Sequence, residues 1–522
     1  MSKQTFLRGT LILIVAGFIT RFLGFFNRIV VARIMGAEGV GLYMMAFPTL
    51  LLVITLTQLG LPVAISKLVA EAEATNDRRK IKQILVVSLT ITGTLSIIFT
   101  IAMVAFAPLV ANVLLTDSRA YFSLIAIAPI VPIIALSSVM RGYFQGRQNM
   151  KPTAYSQVIE QIVRITLVAV MTTAFLPMGV EYAAAGAMLS VVAGELASLI
   201  YMIFMFKTNK RFRVRSDFFT FVKQGKHTLH DLLTIALPTT GSRLIGSIAL
   251  FFEPIVVAQS LAMAGIATVM ATKQYGELAG FVIPLLTLPT FITYSLSVSL
   301  VPAISEAMAK KHFKTVHYRL NQAIRLAVLS GGIAVVILYV FAEPIMTLMY
   351  DAPSVSTYVK LMAPFCIFLY LQGPLQATLQ ALNLAKAAMM NSLFGAVIKI
   401  GAIFVLATRP ELGIMGAALA VVIGFVLVTL LHFATVAKTL SFTIDTKMIL
   451  KSITLIIATT FVGFACASFS FGSLPLLWKT LFAIGVTTIF YLILLILLGL
   501  VNKEELTRIP FGNKLQSLLP RT

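Results

Sequence analysis

The sequence predicts an all-α membrane protein with fourteen transmembrane helices. Of its 522 residues, 59% are hydrophobic and only 11% are charged, whereas a soluble domain carries about 25% charged residues. Continuous apolar runs long enough to cross a bilayer recur along the whole chain. They do not alternate apolar and polar residues, as the strands of a membrane β-barrel do. The predicted spans are 11–34, 42–65, 84–107, 121–140, 155–175, 183–206, 232–258, 277–301, 324–342, 359–382, 388–406, 414–435, 449–469 and 477–500.

The basic residues predict how these helices are oriented. The chain has 41 Lys and Arg against 19 Asp and Glu, which gives a net charge of +22. Most of the basic residues fall at the N-terminus, in the loops after even-numbered spans and in the C-terminal tail. The positive-inside rule therefore predicts a multi-pass protein of the cell membrane with both termini in the cytoplasm. Topology and headgroup contact explain the positive charge, so we expect the bilayer and not nucleic acid as a partner.

Four sequence echoes predict that spans 1–6 and spans 7–12 are two copies of one unit. Residues 21–32 (RFLGFFNRIVVA) match residues 243–258 (RLIGSIALFFEPIVVA) when one helical turn is inserted in the second. The other echoes pair Pro62 and Ser66 with Pro302 and Ser305, Ala128 and Arg164 with Ala363 and Lys399, and GAMLSVVAG from Gly186 with GAALAVVIG from Gly416. Because each copy has an even number of spans, the two copies share one orientation and form a parallel repeat.

The repeat predicts a domain organisation of two six-helix lobes, the first over 1–206 and the second over 232–440. A basic cytoplasmic linker over 207–231 joins the lobes, spans 13 and 14 lie within 441–502, and a cytoplasmic tail follows over 503–522. Transporters built from parallel repeats bind their substrate near the midplane between the halves and rock the halves to alternate access. The predicted architecture is therefore typical of a transporter.

Several charged side chains lie inside predicted spans, where each costs roughly 2.5–3.5 kcal/mol at a helix centre. The basic ones are Arg21, Arg28, Arg164, Arg243 and Lys399, and the acidic ones include Glu160, Glu195 and Glu253. We expect them to face water, an anion or a counter-ion and not lipid. Glu160 and Arg164 are spaced i,i+4, so they either neutralise each other or Arg164 joins a cationic cavity. Such a cavity would suit phosphate, which guanidinium groups bind in a bidentate fashion.

The chain carries none of the motifs that indicate an enzyme. We find no HExxH, no Walker loop, no GxSxG and no Cys/His metal cluster, so neither catalytic residues nor a cofactor or metal is expected. Cys366 and Cys466 fall in separate spans, and we expect them to be inert thiols.

The residues together resemble a known family. Two six-helix halves plus two extra helices, with Arg-x-Leu-Gly in the first span and LPVAISKLVAEAEA running on from the end of the second, are similar to the polysaccharide-exporter branch of the multidrug/oligosaccharidyl-lipid/polysaccharide (MOP) flippase superfamily, the MurJ-like branch. The resemblance covers essentially the whole chain. It implies export of an anionic lipid-linked saccharide by alternating access, of the undecaprenyl-pyrophosphate type. The implied cargo is a lipid II-type peptidoglycan precursor for spore cortex synthesis, with cell-wall synthesis enzymes as further partners.

The resemblance also implies which residues bind substrate. Arg21 matches the first arginine of the family cavity, whereas the second falls at Asn27, with Arg28 one position later. An acidic residue expected near Leu42, and another arginine within span 2, are absent. Arg243 and Lys399 are the candidates to replace them.

Two other functions remain open. A cation-coupled drug antiporter of the same fold would need an intramembrane carboxylate as its ion site, and Glu253 or Glu195 would be the residue to test. A non-transporting scaffold for cell-wall enzymes would act through loop 207–231 and would not need the intramembrane charges.

Overall fold

Every regular element of the described chain is helical. The computed structural model describes residues 6–209, 221, 225–443, 445–469 and 474–501, and no strand occurs among them. Within these residues, thirteen helical segments are long and apolar enough to cross a membrane. The prediction of an all-α polytopic membrane protein is confirmed.

The first of these segments accounts for the difference between thirteen segments and fourteen predicted spans. It runs over Val15–Ala74 and is 60 residues long, and its first helix, α1 (Phe6–Gln58), has 53 residues. At 1.5 Å per residue α1 is about 80 Å long, more than twice the hydrocarbon thickness of a bilayer. The helix is broken at Gly36, where φ is 65° and ψ is −175°, a conformation that only glycine adopts without strain. The sequence predicted a loop over 35–41, and the structure replaces that loop with this single kink.

The first compact unit comprises Met1–Phe281 together with Ala407–Ile414. Its helices are α1, α2 (Leu61–Ala74), α3 (Arg78–Leu109), α4 (Ala120–Ile127), α5 (Ile130–Gly146), α6 (Lys151–Phe175), α7 (Val180–Asn209), α8 (Lys226–Met263) and α9 (Thr268–Tyr275). Helix α6 packs against α7 and α1, and α2 packs against α5. A core of buried side chains, including Ile65, Ile84 and Tyr143, joins α2, α3 and α5, so these helices form a fixed frame for the residues on α1 and α6.

The second compact unit comprises Val282–Leu406 and Met415–Thr522. Its helices are α10 (Ile283–Thr287), α11 (Thr290–Ala309), α12 (Phe313–Val340), α13 (Ala342–Tyr350), α14 (Ser356–Met362), α15 (Cys366–Ala381), α16 (Ala385–Ala407), α17 (Ile414–Leu440), α18 (Thr446–Ser468) and α19 (Leu476–Leu497). Helix α11 packs against α15 and α12 around Ile304, Leu320 and Leu375. The buried Tyr491 hydroxyl of α19 donates to the Leu329 carbonyl of α12 at 2.7 Å, which ties the last helix to this unit.

The predicted repeat is visible where each unit interrupts a membrane helix. Predicted span 121–140 is divided into α4 and α5 at Pro129, which lies at the N-cap of α5. Predicted span 359–382 is divided in the same way, by the short 3₁₀ turn Ala363–Phe365 that precedes α15. Proline lacks the N–H that a continuous helix needs. An Ala-Pro pair, Ala128-Pro129 in the first copy and Ala363-Pro364 in the second, therefore breaks the equivalent helix in both copies.

The two compact units do not end where the repeat ends. The division after Phe281 falls inside predicted span 8 and not in the linker 207–231. Helix α8, the first helix of the second copy, belongs to the first unit, where its Ser247 Oγ lies 2.7 Å from Thr55 Oγ1 of α1. The lobes 1–206 and 232–440 were defined by the sequence repeat, and they stay a prediction. The linker lies mostly, and the tail 503–522 wholly, outside the described residues.

Candidate functional site

Helix α1 carries a stripe of two arginines. Arg21, Gly24 and Arg28 are spaced i, i+3 and i+7, which places them on one face of the helix. The Arg21 side chain is exposed and the Arg28 side chain is half-buried. Gly24 faces α6, because a Cβ on this glycine would lie 3.8 Å from Gln161 Oε1. The arginine stripe therefore borders α6.

Asn27 lies on a different face of the same helix. At 100° per residue it is about 120° from Arg21, and it is only 7% exposed. No described residue donates a hydrogen bond to its Oδ1. The resemblance placed the second cavity position at Asn27, yet Arg28, one residue later, is the side chain that continues the Arg21 stripe.

Arg243 lies on α8, close to the contact between α8 and α1. One turn after it, the Ser247 hydroxyl donates to the Arg243 carbonyl at 3.0 Å and also contacts Thr55 of α1. The Arg243 side chain is exposed. Neither Arg243 nor Arg28 forms a salt bridge with another residue in the described part of the chain. Two helices that pack together thus each present an exposed arginine, Arg21 and Arg243.

The remaining charges of the first unit form a network across three helices. Arg164 Nη2 of α6 lies 2.5 Å from Glu160 Oε1, so the i,i+4 pair that the sequence left open is formed. Arg141 Nη2 of α5 lies 2.6 Å from Glu195 Oε1 of α7 and 3.8 Å from Glu160 Oε2. Glu195 is only 3% exposed. Two guanidinium groups and two carboxylates balance, so the network carries no net charge.

Sequence reasoning missed Arg141 because predicted span 4 ended at residue 140. Helix α5 continues to Gly146, so Arg141 lies within a membrane-crossing segment. The position of Arg141 directly after the span could have revealed it, because span ends predicted from sequence are uncertain by about 2–4 residues. Its partner Glu195 lies 54 positions away, which no local spacing could reveal.

Lys399 and Glu253 lie on helices other than the three that form this network. Lys399 is half-buried on α16 of the second unit, and Gly424 of α17 packs against its side chain, with the Lys399 Cδ 3.2 Å from where a Cβ would be. Glu253 is half-buried on α8. Burial, and then the negative charge of Glu253, raise the pKa of Tyr275 well above its usual value, which places Glu253 near the end of α9.

A second ionic cluster is centred on Asp117 and Arg119, in the loop between α3 and α4, outside the membrane-crossing segments. Arg119 Nη2 lies 2.8 Å from Asp117 Oδ2, and Arg119 Nη1 also donates to Glu38, two residues after the α1 kink. The Thr272 hydroxyl of α9 donates to Asp117 Oδ2 at 2.7 Å. Burial opposes ionisation of Asp117, yet the hydrogen bonds from Arg119 and Thr272 prevail and hold its pKa below the usual value. The cluster joins the kink of α1, the α3–α4 loop and α9, which are distant in sequence.

The described residues offer no metal centre. No group of three or more His, Cys, Asp or Glu side chains among them is arranged to hold a metal ion. Cys366 is buried, Cys466 is half-buried, and both are free thiols.

Comparison with known proteins identifies the family. The family model described as polysaccharide biosynthesis protein matches residues 6–308, which is more than half of the chain. This chain belongs to the polysaccharide biosynthesis protein family. The MatE family model also matches residues 250–405. The family resemblance inferred from the sequence is therefore confirmed.

Individual relatives of this family member agree with that assignment. Stage V sporulation protein B of Bacillus subtilis (strain 168) is 60% identical over 520 residues, which cover 99% of each chain. Lipid II flippase MurJ of the same organism is 23% identical over 463 residues, 83% of this chain and 82% of the relative. A solved structure of lipid II flippase MurJ in an inward closed conformation matches with a TM-score of 0.70 at 18% identity and covers 93% of this chain and 99% of that chain. The family member is a multi-pass membrane protein with the fold of MOP-superfamily transporters.

Proposed function

We propose that this protein is a flippase that moves an anionic lipid-linked saccharide outward by alternating access. Membership of a MOP-superfamily family of transporters supports the transport class. The names of the relatives, a stage V sporulation protein and a lipid II flippase, support a lipid II-type peptidoglycan precursor used in spore cortex synthesis. Both termini are cytoplasmic in this proposal, because the basic loops mark that side.

The observation that carries the proposal is the different environment of two sets of intramembrane arginines. Arg141 and Arg164 are engaged by carboxylates within 2.6 Å, whereas Arg21 and Arg243 are exposed. A guanidinium facing hydrocarbon at mid-helix costs roughly 2.5–3.5 kcal/mol or more. The exposed faces of α1 and α8 therefore border water, where the cations remain hydrated until an anion arrives.

A pyrophosphate group matches these exposed cations. A guanidinium presents parallel N–H donors that fit two phosphate oxygens at once, and a small organic cation would be repelled. We assign Arg21 and Arg243 to the pyrophosphate. Arg28, about two turns further along the stripe, is assigned to the same anion, and the Asn27 amide to a supporting role at the buried side. Lys399 is the proposed contribution of the second half.

The ion-pair network has a different role in this proposal. Arg141 and Arg164, with Glu160 and Glu195 as their charge partners, form a neutral set that holds α5, α6 and α7 in fixed relation. The network therefore positions α6 beside the Arg21 stripe and leaves the binding charge to α1 and α8. Cell-wall synthesis enzymes remain proposed partners that would take up the exported precursor.

Flipping of a fluorescent lipid II-type substrate in proteoliposomes tests the proposal. Arg21→Gln and Arg243→Gln each remove a charged hydrogen-bond donor worth about 1.5–3 kcal/mol, so we expect transport to fall by roughly tenfold to a hundredfold. Arg409→Gln is the matched control, because Arg409 is exposed and lies between two membrane-crossing segments. Wild-type transport by both Arg21→Gln and Arg243→Gln, with normal insertion, would overturn the proposal.

A cation-coupled drug antiporter is the second candidate, favoured by the MatE match over residues 250–405. That stretch contains Glu253, a half-buried carboxylate on α8, and such an antiporter needs a carboxylate that exchanges an ion. Drug efflux from vesicles that is abolished by Glu253→Gln, but unchanged by Arg21→Gln, would select this function. Loss of saccharide flipping in Arg21→Gln with no drug efflux in the wild type would exclude it.

A further inference from the structure

A polar cavity of about 400 Å³ lies in the second unit, at the ends of three helices. It is lined by the first turns of α12, the start of α18 and the residues that follow α19. The chain segments that meet here precede α12, precede α18 and follow α19. All three belong to the loops after even-numbered spans and the tail, which the positive-inside rule assigns to the cytoplasm. The cavity therefore opens at one membrane face.

The side chains that line the cavity carry an excess of positive charge. Arg325 of α12 and Lys447 and Lys451 of α18 contribute three cations, and Asp445 contributes one anion. Asp445 Oδ1 accepts the backbone N–H of Lys447 at 2.9 Å and so caps α18. Lys451 Nζ donates to the Leu498 carbonyl at 2.8 Å, which holds its ammonium at the mouth of the cavity. Even with Asp445 ionised, the lining keeps a surplus of two positive charges.

The surface that continues from the cavity into the membrane is apolar. On α18, Leu450 is 68% exposed and Ile453 is 47% exposed, and on α19, Leu497 is 53% exposed. These side chains lie within one or two turns of Lys451 or Gly499 at the cavity. A ligand that fits both regions has an anionic head and hydrocarbon tails.

We propose that this cavity binds the phosphate headgroup of an anionic membrane phospholipid, whose acyl chains lie along α18 and α19. Lys447 and Lys451 contact the phosphate, since basic pockets between membrane helices at the cytoplasmic side recognise such headgroups. Asn321 and Asp445 hydrogen-bond the headgroup hydroxyls, which favours a glycerol headgroup. The site is separate from Arg21 and Arg243, which lie in the first unit, and the inference does not rest on the proposed transport function.

Native mass spectrometry of the full-length protein in nanodiscs tests this inference. Nanodiscs of phosphatidylcholine with a minor fraction of phosphatidylglycerol are the probe, and the measurement is the enrichment of phosphatidylglycerol retained on the protein. Each lysine near the surface contributes roughly 1 kcal/mol to anionic lipid binding, so Lys447→Gln/Lys451→Gln should lower the enrichment by about tenfold or more. Lys447→Arg/Lys451→Arg keeps the charges and should retain it.

The matched control is Lys314→Gln/Lys386→Gln. It removes two exposed lysines that precede or begin helices at the same predicted face but do not line the cavity, and it should leave the enrichment unchanged. Equal enrichment in Lys447→Gln/Lys451→Gln and in this control, with both proteins folded by thermal melting, would overturn the proposal. Displacement of the retained lipid by excess inorganic phosphate or pyrophosphate would also overturn it, because the site would then take the free anion.

Discussion

The two halves of this protein place a basic residue at the same helix position but surround it with different side chains. Arg164 in the first half and Lys399 in the second are equivalent by the repeat, and a glycine of the next helix packs against each, Gly194 and Gly424. In the first half the cation belongs to a network with Glu160, Glu195 and Arg141. By the same repeat offsets, the second half has Gly395, Phe425 and Gln376 at those three places.

The two halves therefore differ in how their intramembrane cations are balanced. In the first half the network pairs the cations of α5 and α6 with carboxylates. The proposed function therefore assigns ligand binding to Arg21 of α1 and to its counterpart in the second copy, Arg243 of α8. In the second half the three partner residues of the network are replaced by uncharged ones, and the repeat keeps a basic residue at Lys399 as well as at Arg243, the counterpart of Arg21. Both halves thus have a glycine contact at this position, while the charges around it differ.

Removal of Glu195 should have the largest effect on stability. Glu195→Leu leaves Arg141 in a largely buried position without its 2.6 Å partner, and breaking a buried ion pair costs about 3–5 kcal/mol. We expect a clear fall of the melting temperature in detergent and reduced membrane yield. Phe425→Leu, at the equivalent place in the second half, should shift the melting temperature much less.

The control for this prediction is the double variant Glu195→Leu/Arg141→Met. Replacing a whole buried pair by apolar residues is often close to neutral, so the double variant should recover most of the lost stability. If Glu195→Leu melts like the wild type, the network does not hold α5 and α7 together.

Asp117, in the loop between α3 and α4, and Asp351, which follows α13, give a second contrast between the halves. Asp117 is 2% exposed and held by Arg119 and Thr272, whereas Asp351 is exposed. Asp117→Asn should lower the free energy of unfolding by about 3 kcal/mol, and Asp351→Asn by less than about 0.5 kcal/mol. Thermal melting of the two variants side by side measures the difference.

The pH dependence of melting gives an independent check on Asp117. Because its folded pKa is lowered, its contribution is complete above the usual carboxyl value of about 3.9. That contribution is lost as the pH falls through the lowered pKa. Wild-type protein should therefore lose stability below about pH 4 more steeply than Asp117→Asn. Parallel melting curves over this range would contradict the assigned role.

Alanine substitution of the two packing glycines, Gly194 and Gly424, should have the smallest effect on stability, and the effect should differ between the two positions. A Cβ on Gly194 would meet the Glu160 carbonyl oxygen at 2.8 Å, whereas a Cβ on Gly424 would meet only the flexible Lys399 side chain, at 3.2 Å or more. Overpacking against backbone costs typically 1–3 kcal/mol, so Gly194→Ala should destabilise the protein by about 2 kcal/mol and Gly424→Ala by less than half as much. Equal melting temperatures for the two variants would show that the halves pack alike.

The sequence predicted the features that depend on local pattern. Apolar run length predicted the spans, and i,i+4 spacing offered the Glu160–Arg164 pair as one of two alternatives. Contacts between distant segments were not accessible to it. The partnership of Arg141 with Glu195, and that of Asp117 with Thr272, joins residues more than fifty positions apart.

Helix ends and kinks were the other source of error. Hydropathy placed a loop over 35–41, because Gly36, Ala37 and Glu38 lower the local apolar content. Backbone hydrogen bonding keeps both sides helical and leaves a kink at Gly36. The grouping of α8 with the first unit was also missed, since sequence equivalence to α1 says nothing about which helices α8 contacts.

Thiol labelling tests whether Arg21 and Arg243 border water within the membrane, as the proposed function requires. In a background of Cys366→Ala and Cys466→Ala, Arg21→Cys and Arg243→Cys are treated in intact membranes with a charged, membrane-impermeant thiol reagent. Ile162→Cys is the control, because Ile162 of α6 is 53% exposed but apolar and expected to face lipid. We predict that both arginine positions are labelled and that Ile162→Cys is not. Labelling of neither arginine position would contradict the water-filled anion site.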